Sequence, residues 1–198
     1  MKISTFHALA MIPSVLAIVS GGAADIFSEI GYDALVARLG SEVPSGVGVG
    51  VVQVEIPDPG YSPHQGNGQF SGINFIERSG ATEPSLHASK VGFKFYGNEE
   101  SVASGISTVN LYDVNDFIGS GYLRLGSSSL PDNPPGGAKI FNHSWIGTLG
   151  SSSDVLALRR ADYAANTFGT IWIMGVNNGA GSDSFALLAG MYHGISVG

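Results

Sequence analysis

Residues 46–56 read Gly-Val-Gly-Val-Gly-Val-Val-Gln-Val-Glu-Ile. Valine stands at 47, 49, 51, 52 and 54. The run is β-branched and apolar on both faces, so it predicts a strand over Val47 to Ile56 that is covered from both sides, as in a parallel sheet. Pro57 and Pro59 end it. The glycines at 46, 48 and 50 are not a dinucleotide fingerprint, because Val51 and Gln53 stand where that pattern needs other residues. The strand closes on a carboxylate, Glu55, and the carboxyl ends of parallel strands are where α/β proteins place their sites.

The segments on either side alternate between helix and strand. Upstream, Asp33 to Leu39 reads as a short helix stopped by Gly40. Downstream, residues 60–80 are rich in turn formers and read as loop. Pro84 opens the next helix, with Thr82 or Glu83 near its cap. Ala88, Val91, Gly92 and Phe95 form its apolar stripe, and Gly97 ends it. Thr108 to Tyr112 and Ala138 to Trp145 read as strands, separated by a Gly/Ser/Pro-rich loop over 119–137. Ser153 reads as the cap of a further helix with Asp154 in its first turn. Leu158, Ala161, Ala165 and Phe168 are its buried stripe, and Gly169 its stop. Thr170 to Val176 is a strand of strong β formers, and a last one begins at Ile195. The pattern predicts an α/β fold, a mostly parallel sheet with helices on both faces.

Composition narrows the function. The 198 residues are 43% hydrophobic and only 13% charged, which excludes a disordered acidic tail and a coiled coil. Lys plus Arg number 9 against 16 Asp plus Glu, a net charge of −7, so no basic surface exists for nucleic acid. Cysteine is absent, which removes thiolate zinc sites, disulfides and cysteine nucleophiles. His64 and His193 have no metal-ligand spacing, His143 reads as a cleft-side or core residue rather than a ligand, and no cofactor is expected. Asp113, Asn115 and Asp116 read as a solvated loop. Gly194-Ile195-Ser196-Val197-Gly198 matches the hydrolase elbow, but that fold places its acid and histidine after the serine.

The first 24 residues read as a signal peptide. Lys2 precedes an apolar run of 12 residues, Ala8 to Val19, interrupted by Pro13. A membrane span needs about 20. Gly22 and Ala24 are the small residues of a cleavage site. The expectation is a secreted mature chain, residues 25–198, with no membrane attachment after cleavage.

Taken together, the polar residues at strand ends and helix starts are Glu55, His87 and Asn177, an acid, an imidazole and a carboxamide in that order. Val51-Val52-Gln53-Val54-Glu55 resembles the strand of subtilisin-like serine peptidases that ends in their catalytic acid. Leu86-His87-Ala88-Ser89-Lys90-Val91-Gly92 resembles the family's catalytic-histidine segment. Asn142-His143-Ser144-Trp145-Ile146-Gly147 is similar to the stretch lining its substrate cleft. Gly175-Val176-Asn177-Asn178-Gly179 resembles the turn bearing its oxyanion asparagine. The resemblance covers about residues 43–198.

It implies a partial catalytic domain of a secreted endopeptidase acting on peptide or protein substrates. His87 would be the base, Glu55 its orienting acid and Asn177 the oxyanion donor, with Ser144, Trp145 and Gly147 lining the substrate cleft. The chain departs from the pattern twice. Glu stands where the family has Asp, with Asp58 as a second candidate acid. The family's Gly-Thr-Ser segment is missing, so the sequence reads as C-terminally incomplete before the nucleophile. The alternative is a non-catalytic secreted relative that binds peptides or serves structurally.

Overall fold

The computed structural model describes residues 23–176 and 187–198. The chain divides into two compact units, Met1–Val43 and Pro44–Gly198. In the first, α1 (Ala23–Glu29) and α2 (Tyr32–Leu39) are joined through Gly31, whose φ of 75° suits glycine. The helix expected over Asp33 to Leu39 is α2, stopped at Gly40 as predicted. Most of the proposed signal peptide lies outside the described residues, and its predicted cleavage point after Ala24 falls in the first turn of α1. Among the described residues no helix is long and apolar enough to cross a membrane.

The second unit is a six-stranded sheet in the order β2-β3-β1-β4-β5-β6, parallel throughout. Its strands are β1 (Val51–Glu55), β2 (Asn74–Glu77), β3 (Thr108–Asp113), β4 (Ile140–His143), β5 (Ile171–Gly175) and β6 (Gly194–Val197). Between them lie α3 (Leu86–Phe95), α4 (Val114–Gly119) and α5 (Ser151–Phe168). The α/β class is therefore as expected. β1 is buried at every position, with Val52 and Val54 on one face and Val51, Gln53 and Glu55 on the other.

Alternation along the strands sorts the core into two faces. Val52 and Val54 pack with Phe117 of α4 and with Ala157, Ala161, Ala164 and Ala165 of α5, around Phe141 and Trp172. Val51 packs on the other face with Val109, Leu111, Phe70 and Tyr96, against Phe93 and Phe95 of α3. Small alanines on α5 let that helix approach a sheet face crowded with aromatic rings; Phe141 and Trp172 stack at 4.9 Å between centroids.

Several boundaries differ from the sequence reading. Val47 to Gly50 are not part of β1. Gly46 and Gly48 have φ of 83° and 80°, a left-handed turn that no extended strand can contain. β2 and α4 were not expected at all. The cap of α3 is Ser85, whose Oγ accepts from the Ala88 N–H; Pro84 lies one residue outside and bridges Ser62. α5 begins at Ser151 after Gly150, so Ser153 lies inside the helix, while Asp154 accepts from the Leu149 N–H and the Thr148 hydroxyl. Gly169 ends α5 with φ of 58°. Asp113 caps α4 by accepting from the Asn115 N–H, which turns the expected solvated loop into a helix start.

The strand order creates a crevice. The chain leaves β1 toward β2 on one side, and leaves β4 toward β5 on the other. The carboxyl ends of β1 and β4 thus flank the topological switch point, where open α/β sheets bind their ligands. Glu55 is the last residue of β1, and Ser144 follows the last residue of β4.

Candidate active site

Glu55 is carried by β1 on the face that α3 covers, and its side chain is 1% exposed. His87 is the second residue of α3. Its Nδ1 lies 2.7 Å from Glu55 Oε2. A carboxylate only accepts, so Nδ1 carries the hydrogen and the neutral ring keeps its lone pair on Nε2. The second carboxylate oxygen is also occupied: Gln53 Nε2 donates to Glu55 Oε1 at 2.7 Å. Removing a carboxylate from water costs several kcal/mol, offset here by two close donors, one of them an imidazole that can carry charge.

The hydrogen bond from Glu55 raises the His87 pKa above its ordinary value. Partial burial and Lys90 oppose that rise, and Asp58 adds a smaller push in the same direction as Glu55. Asp58 therefore contributes only through space, and Glu55 is the acid that takes the imidazole. The Asp58 N–H donates to the Gly60 carbonyl at 2.9 Å, within the loop that follows β1.

That loop delivers the histidine. Ser85 N–H donates to the Ser62 carbonyl at 2.7 Å, and Tyr61 N–H to Thr82 Oγ1 at 3.2 Å. The segment after β1 is laced to the segment before α3, which brings the first turn of α3 over the tip of β1. Gly60 permits the contact: a Cβ there would lie 1.6 Å from the Glu83 carbonyl oxygen. A serine–histidine contact sits behind it, His64 Nδ1 to Ser89 Oγ at 3.0 Å. Ser89 is 2% exposed, accepts from the His64 N–H and donates to the Ser85 carbonyl. It ties the loop to the helix and has no free approach for a substrate.

Across the crevice, Asn142 Nδ2 donates to Ser144 Oγ at 2.9 Å, and both residues are half-buried. Residues 144–150 run without regular secondary structure, and the Gly147 carbonyl accepts from the Leu187 N–H. Trp145 points into the core rather than along the crevice. It is 6% exposed, packs on the α5 face and donates from Nε1 to His143 Nδ1 at 3.2 Å. His143 is then protonated on Nε2, an atom buried without a partner. Burial alone pushes its pKa down to about 3, because no nearby group compensates an imidazolium.

Asn177 and Asn178 lie outside the described residues. Ser196, the centre of the elbow-like string, sits inside β6 and donates to the Ala189 carbonyl at 2.8 Å, so no strand-to-helix elbow is built there. Gln53 is the site residue that sequence reading passed over; its place two residues before Glu55, on the same strand face, was the available signal. No family model and no curated protein matches the chain.

Proposed function

We propose that the second unit is the acid–base half of a secreted, subtilisin-like serine endopeptidase. The observation that carries the reading is the 2.7 Å contact of a buried carboxylate with an imidazole, at the switch point of a parallel sheet. In this reading a serine hydroxyl attacks the scissile carbonyl carbon while His87 Nε2 takes its proton. The C–N bond then breaks, and the same proton passes to the leaving amine. Water repeats the sequence on the acyl group and regenerates the serine. Glu55 holds the productive tautomer and stabilises the imidazolium. Asn177 is the proposed oxyanion donor, and Ser144 and Gly147 the proposed edge of the substrate cleft. Trp145 supports that segment from within the core.

A second reading, a non-catalytic peptide-binding protein, is favoured by a different observation. Among the described residues no serine hydroxyl is hydrogen-bonded to His87. The native protein from its source, treated with a fluorophosphonate, separates the two. The enzyme reading predicts one phosphonylated serine, with labelling lost in His87→Ala. Absence of labelling and of peptide hydrolysis, with peptide binding retained, selects the second reading.

A further inference from the structure

Behind the Glu55–His87 pair lies a chain of neutral groups. Gln53 is fully buried on β1. Its amide is fully used: Nε2 donates to Glu55 Oε1 at 2.7 Å and to the Ala88 carbonyl at 3.0 Å, while Oε1 accepts from the Tyr96 hydroxyl. The orientation of the amide is forced, because a carboxylate and a carbonyl can only accept. Ala88 is the neighbour of His87 in α3. One side chain therefore holds the carboxylate and, through the next residue's carbonyl, the helical turn that carries the imidazole.

Tyr96 is a fixed anchor. It is fully buried at the end of α3, its ring lies 5.6 Å from Phe70 and 5.9 Å from Phe75, and burial holds its hydroxyl well above the ordinary tyrosine pKa. It stays a donor wherever the imidazole titrates. Glutamate has one more rotatable bond than aspartate, so its carboxylate needs an added restraint to meet Nδ1 in a single geometry.

We propose that Gln53, anchored by Tyr96, is the positioning residue that makes a glutamate workable as the partner of His87. The proposal rests on the reading of Glu55 and His87 as an acid–base pair. Gln53 supplies the restraint that the longer side chain lacks. Removing its amide frees the carboxylate and weakens the bond to Nδ1.

The test is a nitrogen-15 NMR titration of His87 in the full chain, comparing wild type, Gln53→Met and Tyr96→Phe. Gln53→Met keeps length and apolar volume but loses every hydrogen bond. The expected result is a His87 midpoint shifted down toward the ordinary histidine value and a mixed Nδ1/Nε2 tautomer, with a smaller change of the same sign in Tyr96→Phe. If the wild type reacts with a fluorophosphonate, Gln53→Met slows that reaction by about 10²-fold, the usual cost of misplacing a catalytic group by about 1 Å. A His87 midpoint and tautomer unchanged in a folded Gln53→Met overturns the proposal. If Gln53→Met does not fold, an unchanged midpoint and tautomer in Tyr96→Phe overturns it. A wild type that does not label defeats the peptidase reading alone and leaves the titrations interpretable.

Discussion

Acidification should loosen the floor of the crevice through His143. The imidazole is 1% exposed, stacks on Trp172 at 4.9 Å and accepts from Trp145, and its pKa is pushed down to about 3. In the unfolded chain the same group titrates near 6.5. Between those values the unfolded state binds the extra proton, so stability falls as pH falls, by up to about 1.4 kcal/mol per pH unit. From about pH 7.5 to about pH 4.5 the loss attributable to this one group is roughly 2–3 kcal/mol. Carboxylates also titrate in that range, so the informative quantity is a difference. His143→Gln keeps an acceptor for the Trp145 N–H but has no proton to gain. Urea denaturation followed by the fluorescence of Trp145 and Trp172, both in contact with residue 143, measures the two proteins at each pH. The stability gap between wild type and His143→Gln should shrink or reverse by roughly 2–3 kcal/mol across that interval. A gap independent of pH would refute the buried, neutral imidazole.

Three further outcomes follow from the geometry. Gly60→Ala places a methyl within the Glu83 backbone, so the loop must withdraw, at a cost of roughly 3 kcal/mol or more; a thermal midpoint equal to wild type would contradict the close approach. Trp172→Ala removes the ring stacked on Phe141 and His143 and should cost about 3–5 kcal/mol in urea denaturation. The raised pKa of His87 means that its pairing with Glu55 stabilises the fold fully below the unfolded value of 6.5 and is lost as pH rises through the folded value. Glu55→Gln should remove that part of the pH profile, which is the opposite in sign to the effect of His143.

The parts of the fold that were legible in the sequence are those where one periodicity dominates. β1 announces itself through closely spaced valines that suit burial on both faces, and α5 because its apolar stripe ends in a glycine that can adopt positive φ. β2 was hidden for the converse reason. It is a four-residue edge strand, half-exposed, with polar ends, lying between Gly72 and Gly80. α4 was hidden because its cap, Asp113, looks the same in sequence as a loop carboxylate. Val47 and Val49 carry strand propensity, yet the glycines between them adopt left-handed geometry and turn the chain before β1. At the site, residue types at strand and helix ends point to Glu55 and His87, with Asp58, beyond Pro57, as the fallback acid. Alternation decides: Glu55 falls on the face that α3 covers, while Asp58 lies in the loop beyond. Nothing in sequence said which way Trp145 points; its indole follows His143 into the core because the buried imidazole needs a donor.

Folding joins Glu55 and His87 into a hydrogen-bonded pair, and the proton on His87 Nδ1 reports on it directly. Proton and nitrogen NMR of the full chain should show a downfield Nδ1 proton on His87 and a titration midpoint above 6.5, both lost in Glu55→Gln. A midpoint at or below the ordinary histidine value, unmoved by Glu55→Gln, would contradict the account.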